Sequence, residues 1–222
     1  PVACGEKYAS FLPELVYRDG KICRADKELK PVEGQISFVF PDKTEYDGDV
    51  KNGMMDGSGK IRFANGDDYE GQLKKGLFHG KGVYRYENGR VYKGSYVNGK
   101  RDGKGLFTYP DGTRYNGQFK NDYFHGKGEY IFADGSRYTG HFRNGSFNGK
   151  GTMVYNDGSV YNGHFKNDLP DGRGTLDLAD GSRYQGAFTA GKRNGTGRLT
   201  LADVTVFEGT FENDTFISVD NR

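Results

Sequence analysis

The feature that most constrains this chain is a repeat of constant length. An aromatic residue followed two positions later by glycine recurs every 23 residues, and no insertion interrupts the series. The units begin at Tyr46, Tyr69, Tyr92, Tyr115, Tyr138, Tyr161, Tyr184 and Phe207. A period of this length predicts stacked units that each bury a face against their neighbours, rather than one globular core.

Within a unit the residues alternate as they do in half-buried strands. In YNGQF the residues Tyr115, Gly117 and Phe119 alternate with polar ones, and GEYIF repeats the pattern after a Gly-x-Gly. The stretch PDGTR between Tyr109 and Tyr115 has the chemistry of a type I turn, in which Gly112 supplies a positive φ. A glycine every few residues and the lack of a 3.6-residue apolar stripe argue against helices. The sequence predicts an all-β chain.

The strand glycines are expected to make room for aromatic rings. If all rings share one face, every glycine of a strand lies beside a large side chain, and the rings cover the bare backbone. Because residues of one face pair only with residues of the same face, we expect particular cross-strand pairs. They are Tyr115–Phe132, Gly117–Tyr130 and Phe119–Gly128 on one flank, and Tyr115–Tyr109 and Phe119–Gly105 on the other. In this register KNDYFH, after Phe119, forms the longer connection.

Composition excludes several classes of protein. Only 34% of the 222 residues are hydrophobic, too few to fill a thick two-layer core. The net charge of +2 argues against a nucleic-acid partner. Cys4 and Cys23 are too few for a disulfide scaffold, and no signal-peptide pattern or membrane-length apolar run is present. We therefore expect a cytoplasmic location.

Residue types that could form a phosphate-binding, metal-binding or catalytic site are not grouped as such a site requires. The Gly-Lys-Gly of FHGKG recurs in hairpins, whereas a phosphate-binding loop opens a helix. His141 and His164 occupy equivalent positions in adjacent repeats, about 10 Å apart, without the further ligands that a zinc site needs. No serine or aspartate pairs uniquely with a histidine. We expect no enzyme activity, no cofactor and no metal.

The stretch YNGQFKNDYFHGKGEYIFADGSRYTG, residues 115–140, resembles the MORN (membrane occupation and recognition nexus) repeat. Its pattern is Tyr-x-Gly-x-aromatic followed by Gly-x-Gly at this same spacing. The tryptophan usual in the first strand is replaced by Val50, Leu73, Tyr96, Phe119, Phe142, Phe165, Phe188 and Phe211. The resemblance implies an elongated, twisted, single-layer antiparallel β-meander with one hairpin per repeat, here without an attached catalytic domain.

The pattern divides the chain into three parts. Residues 1–45 form a degenerate repeat expected to cap the first edge, residues 46–216 form eight repeats of which the last is partial, and residues 217–222 form a tail. Val204 occupies a turn slot that is glycine in six units, so this turn is expected to change shape. The C-terminal edge, with Phe207 and Phe211, is predicted to contact a second copy of the chain or a partner.

The aromatic face is the first candidate for function. A single-layer sheet has nothing of its own to cover such a face, and an apolar groove marks a site for a partner protein, for example a helix. The predicted groove consists of Tyr92, Tyr115, Tyr138, Tyr161, Phe119, Phe142, Phe165, Tyr109 and Phe132. The resemblance implies a non-enzymatic scaffold in the cytoskeleton, with a cilium or flagellar axoneme as the setting. The alternative is mutual burial of the rings.

A column of cations is the second candidate. Lys81, Lys104, Lys127, Lys150 and Arg173 occupy the same slot of five successive units. Such a stripe could hold anionic lipid headgroups or acidic protein tails. The alternative function is therefore a peripheral membrane protein that binds anionic phospholipid. A solubilising rim around the aromatic face also explains the column.

Overall fold

A computed structural model describes residues 15–25, 28 and 30–219. This part of the chain consists of strands joined by turns and contains no helix. The strands are β1 (Leu15–Arg18), β2 (Lys21–Arg24), β3 (Gly34–Val39), β4 (Glu45–Lys51), β5 (Met54–Arg62), β6 (Asp68–Lys74), β7 (Leu77–Arg85), β8 (Val91–Val97), β9 (Lys100–Thr108), β10 (Arg114–Lys120), β11 (Tyr123–Ile131), β12 (Arg137–Arg143), β13 (Ser146–Val154), β14 (Val160–Lys166), β15 (Leu169–Asp177), β16 (Arg183–Thr189), β17 (Lys192–Thr200), β18 (Val206–Glu212) and β19 (Thr215–Val219).

The strands from β3 to β19 form one antiparallel meander. Each strand pairs with the next one in the sequence. Among the described residues no ladder joins β19 back to β3, so the sheet is open. The predicted all-β meander of tandem hairpins is confirmed.

The predicted cross-strand register is wrong by an even number of residues. The observed pairs are Tyr115–Tyr130, Gly117–Gly128 and Phe119–Phe124 on one flank, and Tyr115–Phe107 and Phe119–Gly103 on the other. On the first flank the cause is the turn, because only Asn121 and Asp122 lie outside the ladder, both with positive φ. On the other flank Arg114 already pairs with Thr108, so the loop comprises residues 109–113. The rest of KNDYFH belongs to the strands, and a bulge beside Gly117 absorbs the extra residues of β11. An even shift leaves every ring on its predicted face.

Each buried tyrosine lies across the glycines of its own hairpin. The Tyr115 hydroxyl donates a hydrogen bond to the Gln118 carbonyl at 2.7 Å, beside the bulge. A Cβ added to Gly117 would lie 2.4 Å from that hydroxyl oxygen, so only glycine fits under the ring. The same bond, from residue i to i+3, recurs at Tyr46, Tyr69, Tyr92, Tyr138, Tyr161 and Tyr184.

Adjacent repeats are joined by ring contacts on the same face. Phe124 stacks on Tyr115 with ring centroids 3.9 Å apart, and Phe142 of the next repeat meets the Tyr115 ring edge-on at 4.8 Å. Tyr138 is packed in the same way by Phe147 and Phe165. The core of this single-layer sheet is therefore a continuous row of rings along one face.

The hairpin β1–β2 stands beside the first strands of the sheet. The buried Ile22 donates its backbone N–H to the Gly53 carbonyl, and Gly53 in turn donates to Val32. The ring of Tyr17 contacts Phe40 edge-on, with centroids 5.2 Å apart. The hairpin is thereby fixed to the turn after β4 and to the loop after β3. The predicted domain boundaries stay a prediction.

The turn at Val204 keeps its shape, which corrects the expectation from the sequence. Val204 has a φ of 62° and donates its N–H to the Leu201 carbonyl at 2.9 Å, as Gly112 does to Tyr109 at 3.1 Å. The flanking ladder and the Asp203 carboxylate, which accepts from the Thr205 N–H, fix this loop. The valine therefore adopts the left-handed conformation at a cost of about 1–2 kcal/mol.

Candidate functional site

The aromatic residues predicted to line a partner groove form the core instead. The four tyrosines of that set are 0% exposed and the three phenylalanines 3% exposed. Rings of neighbouring repeats cover one another, so the expectation that these seven stay open to a partner is corrected. Of the nine residues predicted to line the groove, only Tyr109 and Phe132 are partly exposed, on the same face near the turns. The seven are Tyr92, Tyr115, Tyr138, Tyr161, Phe119, Phe142 and Phe165.

The opposite face carries a shallow groove, here called the polar groove. The backbone of strand glycines such as Gly82, Gly94 and Gly105 lines it, and any Cβ at these positions would point to the aromatic face. Three depressions adjoin one another, since the first two share Asn116 and the last two share Asn162. Together they form a groove from β6 to β18 that runs across the strands, and a further depression with Glu45, Asp47 and Asp68 in its lining adjoins it at Glu70.

All five members of the predicted cation column lie in the polar groove. Their side chains are exposed, and none of them takes part in an ion pair within the described part of the chain. The Lys81 ammonium donates to the Ser95 hydroxyl at 2.8 Å. The column comprises Lys81, Lys104, Lys127, Lys150 and Arg173. Sequence periodicity thus located a set of uncompensated cations.

The polar groove concentrates positive charge. Its lining holds seven Lys or Arg residues against three glutamates, a balance of +4, whereas the whole chain carries +2. All three glutamates have a basic partner: Glu70 lies 3.5 Å from Lys60, Glu129 3.5 Å from Arg137, and Glu208 3.9 Å from Arg198. A groove with such an excess attracts anionic groups.

The two ends of the polar groove differ in chemistry. The N-terminal part, between β6 and β10, combines the half-buried Val83 and Leu106 with Lys81, Lys93 and Lys104. The C-terminal part is lined mainly by hydroxyl, amide and imidazole groups, from Thr139, His141, Thr152, Asn162, His164, Thr175, Gln185 and Thr196. Only the N-terminal part offers apolar contact.

Sequence reasoning missed three residues of the N-terminal part: Val83, Leu106 and Lys93. Each deviates from the residue types that most other repeats place in the same slot. The slot of Val83 and Leu106 holds Lys60, Glu129, Thr152, Thr175 and Arg198 elsewhere in the chain. A comparison of the residues that occupy the same slot in successive repeats identifies these three residues, whereas periodicity alone does not.

Two imidazoles of the C-terminal part contact backbone carbonyls. His141 Nδ1 lies 3.2 Å from the Lys150 carbonyl oxygen, and His164 Nδ1 lies 3.4 Å from that of Arg173. A carbonyl oxygen only accepts, so the proton of each neutral ring sits on Nδ1. Each of the two side chains is thereby held by a backbone carbonyl of its own repeat.

The described residues offer neither a cluster for a metal ion nor a helix that could span a membrane. They include no group of three or more histidine, cysteine or acidic side chains able to hold a metal ion. Cys23 is a buried free thiol. No helix long and apolar enough to cross a membrane was found over the same residues.

The core tyrosines have perturbed acidity. Burial raises the pKa of Tyr69, Tyr138 and Tyr161 to about 12, and it raises that of Tyr115 further. Desolvation penalises the phenolate, so these hydroxyls stay protonated and donate to carbonyls. Their role is structural, because they face the core.

The C-terminal strand was predicted to contact a second copy or a partner. Over the described residues β19 pairs only with β18, and Ile217 on it is 56% exposed. Phe216 packs against Phe207 and Phe211. The contact stays a prediction, which light scattering on the full chain checks.

Comparisons with known proteins address the repeat directly. The sequence model of the MORN repeat matches seven consecutive segments, residues 46–68, 69–89, 92–114, 115–137, 138–160, 161–183 and 184–203. These segments cover well over half of the chain. No curated protein matches it.

Solved structures give weaker similarities. The TCP10 domain of Danio rerio CPAP is 21% identical, with 77% of this chain and 81% of that chain covered and a TM-score of 0.45. The TCP domain of Drosophila melanogaster SAS-4, solved with a proline-rich motif of Ana2, is 14% identical, with 95% and 98% covered and a TM-score of 0.33.

Proposed function

Because the chain belongs to the MORN repeat family, whose repeat is a non-catalytic type, we propose that it is a scaffold that holds a partner protein in its polar groove. The observation that carries this proposal is the row of unpaired cations beside the glycines of the groove. On the opposite face, seven of the nine residues predicted to line a groove are buried in the core. This moves the proposed partner site from the aromatic face to the polar one.

The dimensions of the polar groove suit a segment of protein. Twelve strand intervals separate β6 from β18, which corresponds to about 58 Å. A helix lying in a groove is a common mode of peptide recognition. We propose that the partner contributes such a segment.

The setting that we propose is a cytoskeletal assembly, in a cilium or flagellum. Its support is the family resemblance, since plain arrays of this repeat occur in such assemblies. Imaging of a tagged chain in ciliated cells checks this. A tag spread evenly through the cytoplasm, with no enrichment on any filament system, would contradict it.

Site-specific photo-crosslinking tests the scaffold proposal. A crosslinking amino acid is placed at Asn116 or Asn162 in the polar groove, with Asn156 in an exposed turn as the matched control. We expect both groove positions to capture the same protein and the turn position to capture none of it. Equal capture from Asn156, or no protein from either groove position, would contradict the proposal.

The second candidate is binding of anionic phospholipid, and the unpaired cation column favours it. Flotation with phosphatidylcholine vesicles, with and without phosphatidylinositol phosphate, tests this function. If lipid is the ligand, Lys104→Glu with Lys127→Glu abolishes flotation with the anionic vesicles. Flotation that survives both reversals would exclude the column as the lipid site.

A further inference from the structure

We propose that the N-terminal part of the polar groove selects an acidic helix that also carries apolar side chains. This inference rests on the proposed function, in which the groove holds a protein segment. It adds the chemistry of that segment and the part of the groove that recognises it. Three observations support it: the position of the apolar residues, the cations around them and the spacing of the repeats.

The apolar residues of the site are confined to two repeats. Val83 and Leu106 are half-buried and occupy one slot of adjacent units, next to Gly82 and Gly105. In the remaining units this slot holds a charged residue or threonine. Two neighbouring aliphatic side chains with free surface in an otherwise polar groove provide a place where apolar groups of a ligand lose contact with water.

Three cations surround this apolar surface. Lys81, Lys93 and Lys104 line the same depression, and no carboxylate of the described residues pairs with any of them. Lys93 is a cation outside the column and is particular to this part of the groove, because its slot holds Asn116, Thr139 and Asn162 in the following units. Uncompensated cations around an apolar centre select a ligand that combines carboxylates with apolar groups.

The spacing of the repeats matches that of a helix. Equivalent positions in adjacent units are two strands apart, about 9.6 Å. Seven residues of an α-helix advance about 10.5 Å and return to the same face. Leucines at positions i and i+7 of a helix therefore reach Val83 and Leu106 together. Acidic residues beside those leucines lie toward the lysines.

The arrangement favours a protein segment over a membrane surface. Val83 and Leu106 lie in a depression, with Lys81, Lys93 and Lys104 around them. A flat bilayer reaches the outer ends of the lysines and leaves the two aliphatic side chains uncovered. A helix that lies along the depression can extend side chains between the lysines and contact both.

Binding of labelled peptides to the full chain tests the proposal, with fluorescence anisotropy as the readout. The probe is a helical peptide of about 18 residues, about 27 Å long, with leucines at i and i+7 and flanking glutamates. One control peptide replaces the leucines by glutamine, and a second replaces the glutamates by glutamine. We expect the probe to bind at least about tenfold more tightly than either control, a difference of about 1.4 kcal/mol.

The variants use residues that the chain itself carries in equivalent slots, so that folding is retained. Val83→Thr with Leu106→Thr introduces the residue found at Thr152 and Thr175, and Lys104→Thr introduces that of Thr196. We expect each variant to weaken the probe about tenfold. The matched control, Lys150→Thr in the C-terminal part, is expected to change the affinity less than about twofold.

The outcomes separate this inference from the proposed function. If the neutral leucine peptide binds as tightly as the probe, acidic selection is wrong while groove binding of a protein segment stands. If Lys150→Thr weakens the probe as much as Lys104→Thr does, the site is not in the N-terminal part. If no peptide binds and vesicles of phosphatidylcholine with phosphatidylserine do, both the inference and the scaffold function are wrong.

Discussion

The two faces of this sheet follow opposite rules. On the aromatic face the first slot of the repeat holds tyrosine in seven units and phenylalanine in the eighth, and the tyrosines are fully buried. On the polar face one slot holds Lys60, Val83, Leu106, Glu129, Thr152, Thr175 and Arg198 in turn. Both faces belong to the same strands. The repeat therefore fixes the face that packs, whereas this slot of the polar face is free to vary.

The difference has a physical cause. A ring on the aromatic face contacts rings of its own and the next repeat, so a change there alters several contacts at once. A side chain on the polar face lies largely in water. We therefore assign stability to the aromatic face and recognition to the polar one, and the following predictions test that division.

Alkaline pH should have the largest effect, because it charges the aromatic face. The folded-state pKa of Tyr69, Tyr138 and Tyr161 is about 12, above the usual value near 10. Their stabilisation is fully present below about pH 10 and is lost as pH rises through the folded-state pKa, by about 1.4 kcal/mol per pH unit for each tyrosine.

We expect cooperative unfolding between about pH 10 and pH 12, with tyrosine ionisation and loss of β-structure in the same transition. Near-ultraviolet absorbance and circular dichroism measure the two events. Tyr161→Phe should make the transition less steep by about one proton. Tyrosines that ionise while the circular dichroism stays native would contradict burial as the source of stability.

Gly117→Val should be next in size. A Cβ at Gly117 would lie 2.4 Å from the Tyr115 hydroxyl oxygen and 2.7 Å from the Gly128 Cα, so ring and backbone must both move. We expect a loss of about 3 kcal/mol in the free energy of unfolding, measured with urea. The control is Asn116→Val on the exposed polar face, with a change within about 0.5 kcal/mol. Equal tolerance of the two valines would refute the division between the faces.

The sequence determined the faces but not the register. Alternation places Tyr115, Gly117 and Phe119 on one side whatever the pairing, and the structure agrees. The register depended on the length of the turn. Asn121 and Asp122 form a two-residue turn in which even the aspartate has a φ of 72°, and the adjacent bulge has no signature of its own.

The site could be predicted only in part. The cation column was visible because it repeats, whereas Val83, Leu106 and Lys93 each break a pattern. Burial of the rings was not decided by the sequence, because it depends on contacts between repeats such as that of Phe142 with Tyr115. Periodicity reports what the repeats share, and the specificity that we propose rests on residues that they do not share.

Val204→Gly should have a smaller, stabilising effect. The valine is 79% exposed and held at a φ of 62°, so little packing is lost and the left-handed strain is removed. Glycine makes the unfolded chain more flexible, which offsets part of this gain. We expect the free energy of unfolding to rise by about 0.5–1 kcal/mol. Thermal unfolding measures it, with Val206→Gly in strand β18 as a control that should destabilise. A loss at Val204 would mean that this side chain contributes contacts that outweigh its strain.

The smallest effect is expected on the polar face itself. Lys104 and Lys127 have no carboxylate partner, so Lys104→Thr with Lys127→Thr removes no ion pair. The two ammonium groups belong to slots about 9.6 Å apart, close to the screening length of about 10 Å at 0.1 M salt. Their removal should relieve a weak repulsion and raise the free energy of unfolding by less than about 0.5 kcal/mol at low salt. Urea titrations at low and high salt measure this, and the gain should vanish at high salt. A loss above about 1 kcal/mol would show that the column stabilises the fold, and the assignment of recognition to this face would then need another basis.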